Sequence, residues 1–194
     1  MIRWSRPARA VGFGACLLVA AVGMACRDPV VGSAKDELGD EDPGISPGEY
    51  HRAGQPCLVC HSERGGETEF TVAGTIFASS SRQVGVDRAE VRMTDADGTQ
   101  YVAKTNCVGN FFVKPGDWSP KFPILVAVGK NGSRRAMQSV IDRDGSCAHC
   151  HSRSLKVEHP EREVPQVYLF GGDEPSAPNG ALDCPVPAKK PGSP

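Results

Sequence analysis

Aromatic residues are scarce in this 194-residue chain, and neither sign of charge is in surplus. Phe, Trp and Tyr make up 6% of the sequence, and hydrophobic residues of all kinds only 39%. Together with 22 glycines and 16 prolines, this composition predicts one loop-rich domain with a modest core. The formal net charge of −1 excludes the strongly basic surface that is typical of nucleic-acid binding. We therefore expect no nucleic-acid partner.

No hydrophobic run is long enough to be a confident membrane span. The longest covers residues 11–25 and falls short of the roughly 20 apolar residues that a spanning helix needs. It follows three basic residues, Arg3, Arg6 and Arg9. A basic start followed by a short apolar run is typical of an export signal, so residues 1–25 are predicted to be a signal peptide.

Cys26 directly follows the predicted signal peptide, and residues 22–26 resemble the lipobox of bacterial lipoproteins. Small Gly23 and Ala25 fit that pattern, although Leu usually stands where Gly23 is and a small residue where Met24 is. The resemblance implies a lipid on Cys26 and hence a membrane anchor. Cleavage near Ala25 to give a soluble periplasmic protein, or an uncleaved anchor, are the alternatives. All three predict export from the cytoplasm.

Several catalytic signatures are missing, and a pair of cysteine motifs stands in their place. We find no H-E-x-x-H, no Gly-rich phosphate loop and no pattern for a Ser-His-Asp triad. The sequence instead reads C-x-x-C-H twice, which is the attachment signal for c-type haem. The predicted thioether cysteines are Cys57, Cys60, Cys147 and Cys150, and the predicted proximal iron ligands are His61 and His151.

The spacing of each motif suits covalent haem attachment. Two cysteines three positions apart lie on one side of a helical turn, so both thiols can reach one porphyrin edge, and the adjacent histidine meets the iron. The alternative is a zinc site made from both C-x-x-C pairs. Zinc would not require a histidine after each pair, so the sequence favours two haem c groups as cofactors.

The three other histidines all lie near a haem motif. His51, His159 and His149 are therefore candidates for the distal iron ligands, in that order of preference. His149 lies inside its own motif and is expected to reach only the other iron. Met93 and Met137 are alternative ligands, with packing in the core as their other interpretation. Two bis-histidine haems of low potential are the resulting hypothesis.

The residues between the motifs have the pattern of short β-strands. Apolar and polar residues alternate over 70–78 and 89–94, and further strands are predicted at 99–106, 111–113, 124–128 and 134–141. Asp97-Gly98 indicates a hairpin turn. Asp95 and Asp97 also resemble the start of a calcium loop, but the later acidic ligand is missing. The pattern predicts a mainly β fold, an antiparallel sandwich at about 70–141 within a dihaem domain at 50–170.

The strand sequences resemble the carboxypeptidase-regulatory-like, transthyretin-like sandwich, which is also Ig-like. The segment 105–111, with the form T-x-x-x-G-x-F, carries most of this resemblance, which covers about residues 70–141. With a haem-binding segment at each end, the whole resembles a group of bacterial exported dihaem cytochromes. The resemblance implies electron transfer.

The flanking regions are predicted to be loose. Residues 26–49 are acidic and rich in Pro and Gly, which is typical of a linker, and residues 171–194 are a Pro/Gly-rich tail. Cys107 and Cys184 are candidates for a disulfide, with free thiols as the alternative.

Three functions remain open at this stage. The first is electron transfer with redox partner proteins of the cell envelope, whose docking surfaces are expected to be basic because this chain is acidic once its leader is removed. The second is a haem enzyme with one open iron position, of the peroxidase or small-oxyanion reductase type. The third is a sandwich that acts as a binding module with structural haem.

Overall fold

The fold was examined in a computed structural model that describes residues 28–41, 44–45, 48–151 and 164–171. It is mainly β, as the sequence predicts, with two antiparallel sheets. The strands are β1 (Val72–Thr75), β2 (Glu90–Thr94), β3 (Gln100–Lys104), β4 (Asn110–Val113), β5 (Leu125–Lys130) and β6 (Ser133–Ala136). The helices are α1 (Pro29–Leu38), a 3-10 turn (Cys57–Val59) and α2 (Cys147–Cys150).

The strands form a two-stranded sheet, β1-β4, and a four-stranded sheet in the order β3-β2-β5-β6. β2 and β3 form the hairpin that the Asp-Gly pair predicts. Gly98 has φ +81°, which side-chain-bearing residues rarely adopt, and the Asp95 carboxylate accepts hydrogen bonds from the N–H groups of Asp97 and Thr99. The turn chemistry therefore sets the register of β2 against β3.

The hydrophobic core draws on both sheets. In β2, Val91 and Met93 are buried while Arg92 is exposed, which is the period-two pattern of a half-buried strand. Met93 thus packs in the core, which is the alternative to iron ligation that the sequence left open for it. The other large core residues come from β1, β4, the loops and the C-terminal segment: Val72, Ile76, Val86, Phe111, Val113, Trp118, Ile124, Leu169 and Phe170.

Residues 164–171 complete the core without forming a regular strand. The backbone of Phe77 accepts from the Leu169 N–H at 3.0 Å and donates to Val167 at 2.9 Å, and Tyr168 makes an isolated bridge with Phe77. Leu169 and Phe170 are buried. This segment therefore joins the sandwich through isolated backbone contacts with residues 77 and 78.

A helix within the acidic linker was not expected. α1 begins after Asp28, whose carboxylate caps the N–H groups of Val30 and Val31, and Pro29 occupies its first turn. None of its residues is buried. Its C-terminal end is held by Arg52, which donates to the Gly39 carbonyl at 2.8 Å. The segment therefore lies against the first haem motif instead of being only an extended tether.

Some predicted features fall outside the described residues. They are the signal peptide at 1–25, Cys26, His159, Cys184 and the tail beyond residue 171. Within the described ranges, no helix has both the length and the apolar character needed to cross a membrane.

Candidate functional site

Both C-x-x-C-H motifs fold into the same kind of turn. In the first, the 3-10 turn Cys57–Val59 brings the His61 N–H to the Cys57 carbonyl at 2.9 Å. In the second, α2 brings the His151 N–H to the Cys147 carbonyl, also at 2.9 Å. Each turn places its two thiols and its histidine along one cavity.

The two motif histidines are oriented in the same way. Nδ1 of His61 lies 2.7 Å from the Thr68 carbonyl oxygen, and Nδ1 of His151 lies 2.6 Å from that of Pro165. A carbonyl oxygen can only accept, so Nδ1 carries the proton and Nε2 keeps its lone pair. Metal-ligating histidines are typically held by such a hydrogen bond, which fixes the tautomer and the ring orientation. Both rings are therefore prepared to ligate through Nε2.

The first cavity has a volume of about 450 Å³ and is lined by the whole first motif. Its apolar lining comes from Leu38, Pro56, Phe70, Phe111 and Phe112. The His61 ring stacks on Phe70 with centroids 4.3 Å apart, and Phe70 stacks on Phe112 at 4.7 Å. This stacking restrains the His61 imidazole in addition to its hydrogen bond with the Thr68 carbonyl.

His51 lines the same cavity as His61. The centroids of the two imidazole rings are 5.8 Å apart, and Nδ1 of His51 contacts the Gly48 carbonyl. Because metal–imidazole bonds are about 2.0–2.1 Å long, two histidines on opposite sides of one ion have ring centres roughly 6 Å apart. The separation of the two rings therefore leaves room for one ion between them, and His51 and His61 are the residues that would hold an iron here.

The second cavity, of about 290 Å³, is lined by Cys147, Cys150 and His151. Its walls are mainly apolar and include Ile76, Val91, Phe111, Val126, Val128 and Ile141. No second histidine is among its described lining residues. The buried Ser146 hydroxyl lines it too and has no hydrogen-bond partner in the described part of the chain. A bound group with an exposed acceptor, such as a haem propionate, would satisfy that hydroxyl.

Cationic side chains also line each cavity. Arg52 and Lys114 lie at the first, and Arg135 lies at the second. Arg135 Nε donates to the Leu169 carbonyl at 2.9 Å, which fixes the guanidinium at the cavity wall. A fixed guanidinium is suited to a carboxylate. Carboxylates line both cavities as well, Glu41, Glu49 and Glu67 at the first and Asp144 at the second. The two thiols, the oriented histidine and the apolar walls of each cavity are therefore what fits haem.

The two sites adjoin each other. Phe111 lines both cavities, and β1 contacts both motifs. At Gly74 a Cβ atom would meet Cβ of Cys147 at 2.7 Å and its Sγ at 2.9 Å, so only glycine lets the second motif lie this close to the strand. Within the described residues, the sandwich therefore brings the second motif back close to the first, although the two are far apart in sequence.

The first thiol of each motif is strongly shielded. Burial raises the pKa of Cys57 to about 11, and the neighbouring Cys60 thiol adds to the effect. Burial likewise raises the pKa of Cys147 to about 12, with a further contribution from the thiol of Cys57. The effect of Cys57 on Cys147 is a second sign that the motifs are adjacent. At neutral pH both groups are thiols and not thiolates.

The His149 side chain is held by a neighbouring carboxylate. Its Nδ1 contacts the Asp144 carboxylate, and it lines neither cavity. Burial alone would raise the pKa of Asp144, but hydrogen bonds from His149 and from the Ser146 N–H outweigh it and lower the pKa. As a distal ligand, His149 is therefore a weaker candidate than His51.

The ion sites considered as alternatives are not assembled in the described part of the chain. No three His, Cys, Asp or Glu side chains gather there as a metal-ion site, so the four motif cysteines do not form a zinc tetrahedron. In the suspected calcium loop, the Asp95 carboxylate accepts backbone hydrogen bonds and Asp97 pairs with Lys121.

One polar cluster was not predicted from the sequence. The buried Thr75 hydroxyl accepts from the Gly54 N–H at 2.8 Å and donates to the Asn110 side-chain oxygen at 2.7 Å. The Asn110 amide donates to the carbonyls of His51 at 3.0 Å and Glu49 at 3.2 Å. This Thr75–Asn110 clamp holds the segment that carries His51. Asn110 lies within the T-x-x-x-G-x-F segment, but nothing in the sequence assigns it this partner.

Cys107 is disulfide-bonded, whereas the four motif cysteines are free. Its partner lies outside the described residues, so the pairing with Cys184 stays a prediction. Compared with known proteins, the chain matches no family model, no curated protein and no solved structure.

Proposed function

We propose that this chain is an electron-transfer protein of the bacterial cell envelope that carries two covalently attached c-type haems. One observation supports this above the others. Both motif histidines have Nδ1 held by a backbone carbonyl, at 2.7 Å and 2.6 Å, and both border a cavity that their own motif cysteines line. Two thiols, an oriented histidine and a mainly apolar cavity are what covalent haem attachment requires, and both motifs bring them together.

Each part of the motif has a distinct role. Cys57 and Cys60 would form the thioethers at the first site, and Cys147 and Cys150 those at the second. His61 and His151 would ligate the irons through Nε2. The haem iron supplies one-electron chemistry when bound, while the chain's own residues hold the ligands and exclude water with apolar walls.

At the first site we propose bis-histidine ligation by His51 and His61. The 5.8 Å separation of the ring centroids supports it, as does the Nδ1 contact of each ring with a carbonyl. A bis-histidine site lacks the methionine that raises the reduction potential of a haem, so we expect a low reduction potential at this site. The proposal for the second site is developed below.

The adjacency of the sites supports electron passage between them. Phe111 lines both cavities, and the Cys57 thiol is close enough to Cys147 to raise the pKa of that thiol. Electrons would enter and leave through redox partners of the envelope. A lipid on Cys26 would hold the protein at the membrane.

Mass spectrometry and optical spectroscopy of the exported protein test this function. We expect the mass of two haems, and a mass of one haem in a Cys57→Ser/Cys60→Ser variant and in the matched Cys147→Ser/Cys150→Ser variant. The same spectra report lipid on Cys26. A protein that is exported and folded but carries no haem mass would refute the proposal.

A haem enzyme is the second candidate, because the second cavity has no second histidine among its described lining residues. An open iron position there would give a high-spin ferric spectrum and rapid binding of carbon monoxide. Two six-coordinate low-spin haems that bind carbon monoxide slowly would exclude it.

A further inference from the structure

We infer that Met137 is the second axial ligand at the Cys147–His151 site, so the two haems are unlike. This inference rests on the proposed function. It concerns the residues of the second cavity, where the first cavity's His51 has no described counterpart.

The cavity lining leaves few alternatives. Haem iron in proteins is ligated by His, Cys, Met or Tyr side chains. Among the residues that the structure describes, those at the second cavity are His151, the two motif cysteines, Tyr168 and Met137. The cysteines are used in the thioethers, and the Tyr168 hydroxyl donates to Gln166 at 3.4 Å. Met137 is left.

Met137 also comes from a different part of the fold than His151. His151 ends the turn of α2, and its ring is held by Pro165 in the C-terminal segment. Tyr168 belongs to that same segment. Met137 directly follows β6, and its N–H donates to the Val126 carbonyl at 2.9 Å, which fixes it to the four-stranded sheet. One potential ligand, His151, thus ends the turn of α2, and the other, Met137, is attached to the four-stranded sheet.

The chemistry of the cavity suits a thioether. A methionine sulfur is neutral and soft, so it needs no counter-charge in a mainly apolar lining that includes several Val and Ile side chains. The Met137 side chain is half-buried, whereas that of Met93 is fully buried in the core and lines neither haem cavity. Met137 is therefore the methionine available to an iron.

Unequal ligation has a functional consequence. Methionine ligation raises the potential of a haem relative to bis-histidine ligation. The His51–His61 site would then be the low-potential site and the Met137–His151 site the high-potential one. Electrons would pass from the low-potential first site to the high-potential second site, so electron transfer through the protein would run in one direction.

The test is the ferric optical spectrum of the two-haem protein, together with a redox titration. We expect the long-wavelength sulfur-to-iron charge-transfer band at the intensity of one haem in two, and two separate reduction steps. Met137→Leu should abolish the band and open one haem to carbon monoxide. Met137→His should restore a low-spin spectrum without the band and lower the upper potential. Met93→Leu is the matched control and should retain the band.

Several results would overturn the inference. One is a wild-type protein with two haems and no charge-transfer band. Another is a band that survives Met137→Leu, and a third is a low-spin second haem that becomes high-spin only in His159→Ala or Tyr168→Phe. In each case the haem count stays at two, so the failure differs from that of the proposed function, in which haem is absent.

Discussion

Replacement of Asn110 by Ala should loosen the distal ligand of the first site without touching either haem motif. The Asn110 side chain is 7% exposed and makes three hydrogen bonds: one from Thr75, one to Glu49 and one to His51. Ala removes all three. The buried Thr75 hydroxyl loses its acceptor, which costs about 1–3 kcal/mol, while the lost bonds to the two backbone carbonyls cost about 0.5–1.5 kcal/mol each.

The carbonyls of Glu49 and His51 are only partly buried, so water replaces much of their lost bonding. We therefore expect the free energy of unfolding to fall by about 2–4 kcal/mol in all. Because Asn110 holds the backbone of His51, the imidazole should also leave the first iron for part of the time. Urea unfolding measures the first effect, and the rate of carbon monoxide binding measures the second.

Asp95→Ala is the matched control. Asp95 also makes three side-chain hydrogen bonds, accepting from the N–H groups of Asp97, Thr99 and Lys121, but it lines neither cavity. It should lower stability while leaving the rate of carbon monoxide binding unchanged. If Asn110→Ala loses stability to the expected extent but binds carbon monoxide as slowly as the wild type, then the clamp does not position His51.

Two further predictions concern the second motif and the buried thiols. Gly74→Ala would force a methyl group within 3 Å of Cys147, so we expect mass spectrometry to find less haem at the second site. The control is Gly116→Ala, whose new methyl group would meet nothing within 4 Å, and which should carry haem at both sites. Equal haem content in the two variants would contradict the close approach of Gly74 and Cys147. In haem-free protein, the raised pKa values of Cys57 and Cys147 mean that their contribution to stability is complete below about pH 9 and is lost as pH rises towards 11–12. Unfolding free energies measured against pH should therefore fall at alkaline pH in haem-free protein and less so in Cys57→Ala/Cys147→Ala. Equal alkaline losses in the two proteins would show that the thiols are not shielded.

The strands could be predicted because their signals are local. Alternation along β2 and the Asp-Gly turn at Gly98 depend only on neighbouring residues, and both are present in the fold. The helix α1 was missed because its composition resembles a linker. It buries nothing, and it is held by contacts from distant residues, such as Lys35 to the Gly65 carbonyl at 2.7 Å and Arg52 to Gly39. No local pattern reports such contacts.

The candidate site also has a part that the sequence predicts and a part that it does not. The motif residues and the candidate His51 follow from spacing along the chain. The carbonyls that orient His61 and His151 come from residues 7 and 14 positions away in sequence, and Asn110 reaches His51 across 59 positions. Those partners depend on how the sheets pack, and the C-x-x-C-H pattern has no requirement for them. Sequence therefore identifies the candidate ligands but not the contacts that orient them.

The short strand β1 explains why two motifs so far apart in sequence can act together. All four of its residues are buried, and one of its edges pairs with β4. On its other edge, the Ala73 N–H donates to the Gly145 carbonyl at 3.0 Å, which attaches the second motif. Its last residue, Thr75, holds Gly54 just before the first motif. Because one strand supports both motifs, damage to the β1–β4 pairing should disturb both candidate sites together. If each site holds a haem, as we propose, the sandwich would set the distance between the two irons.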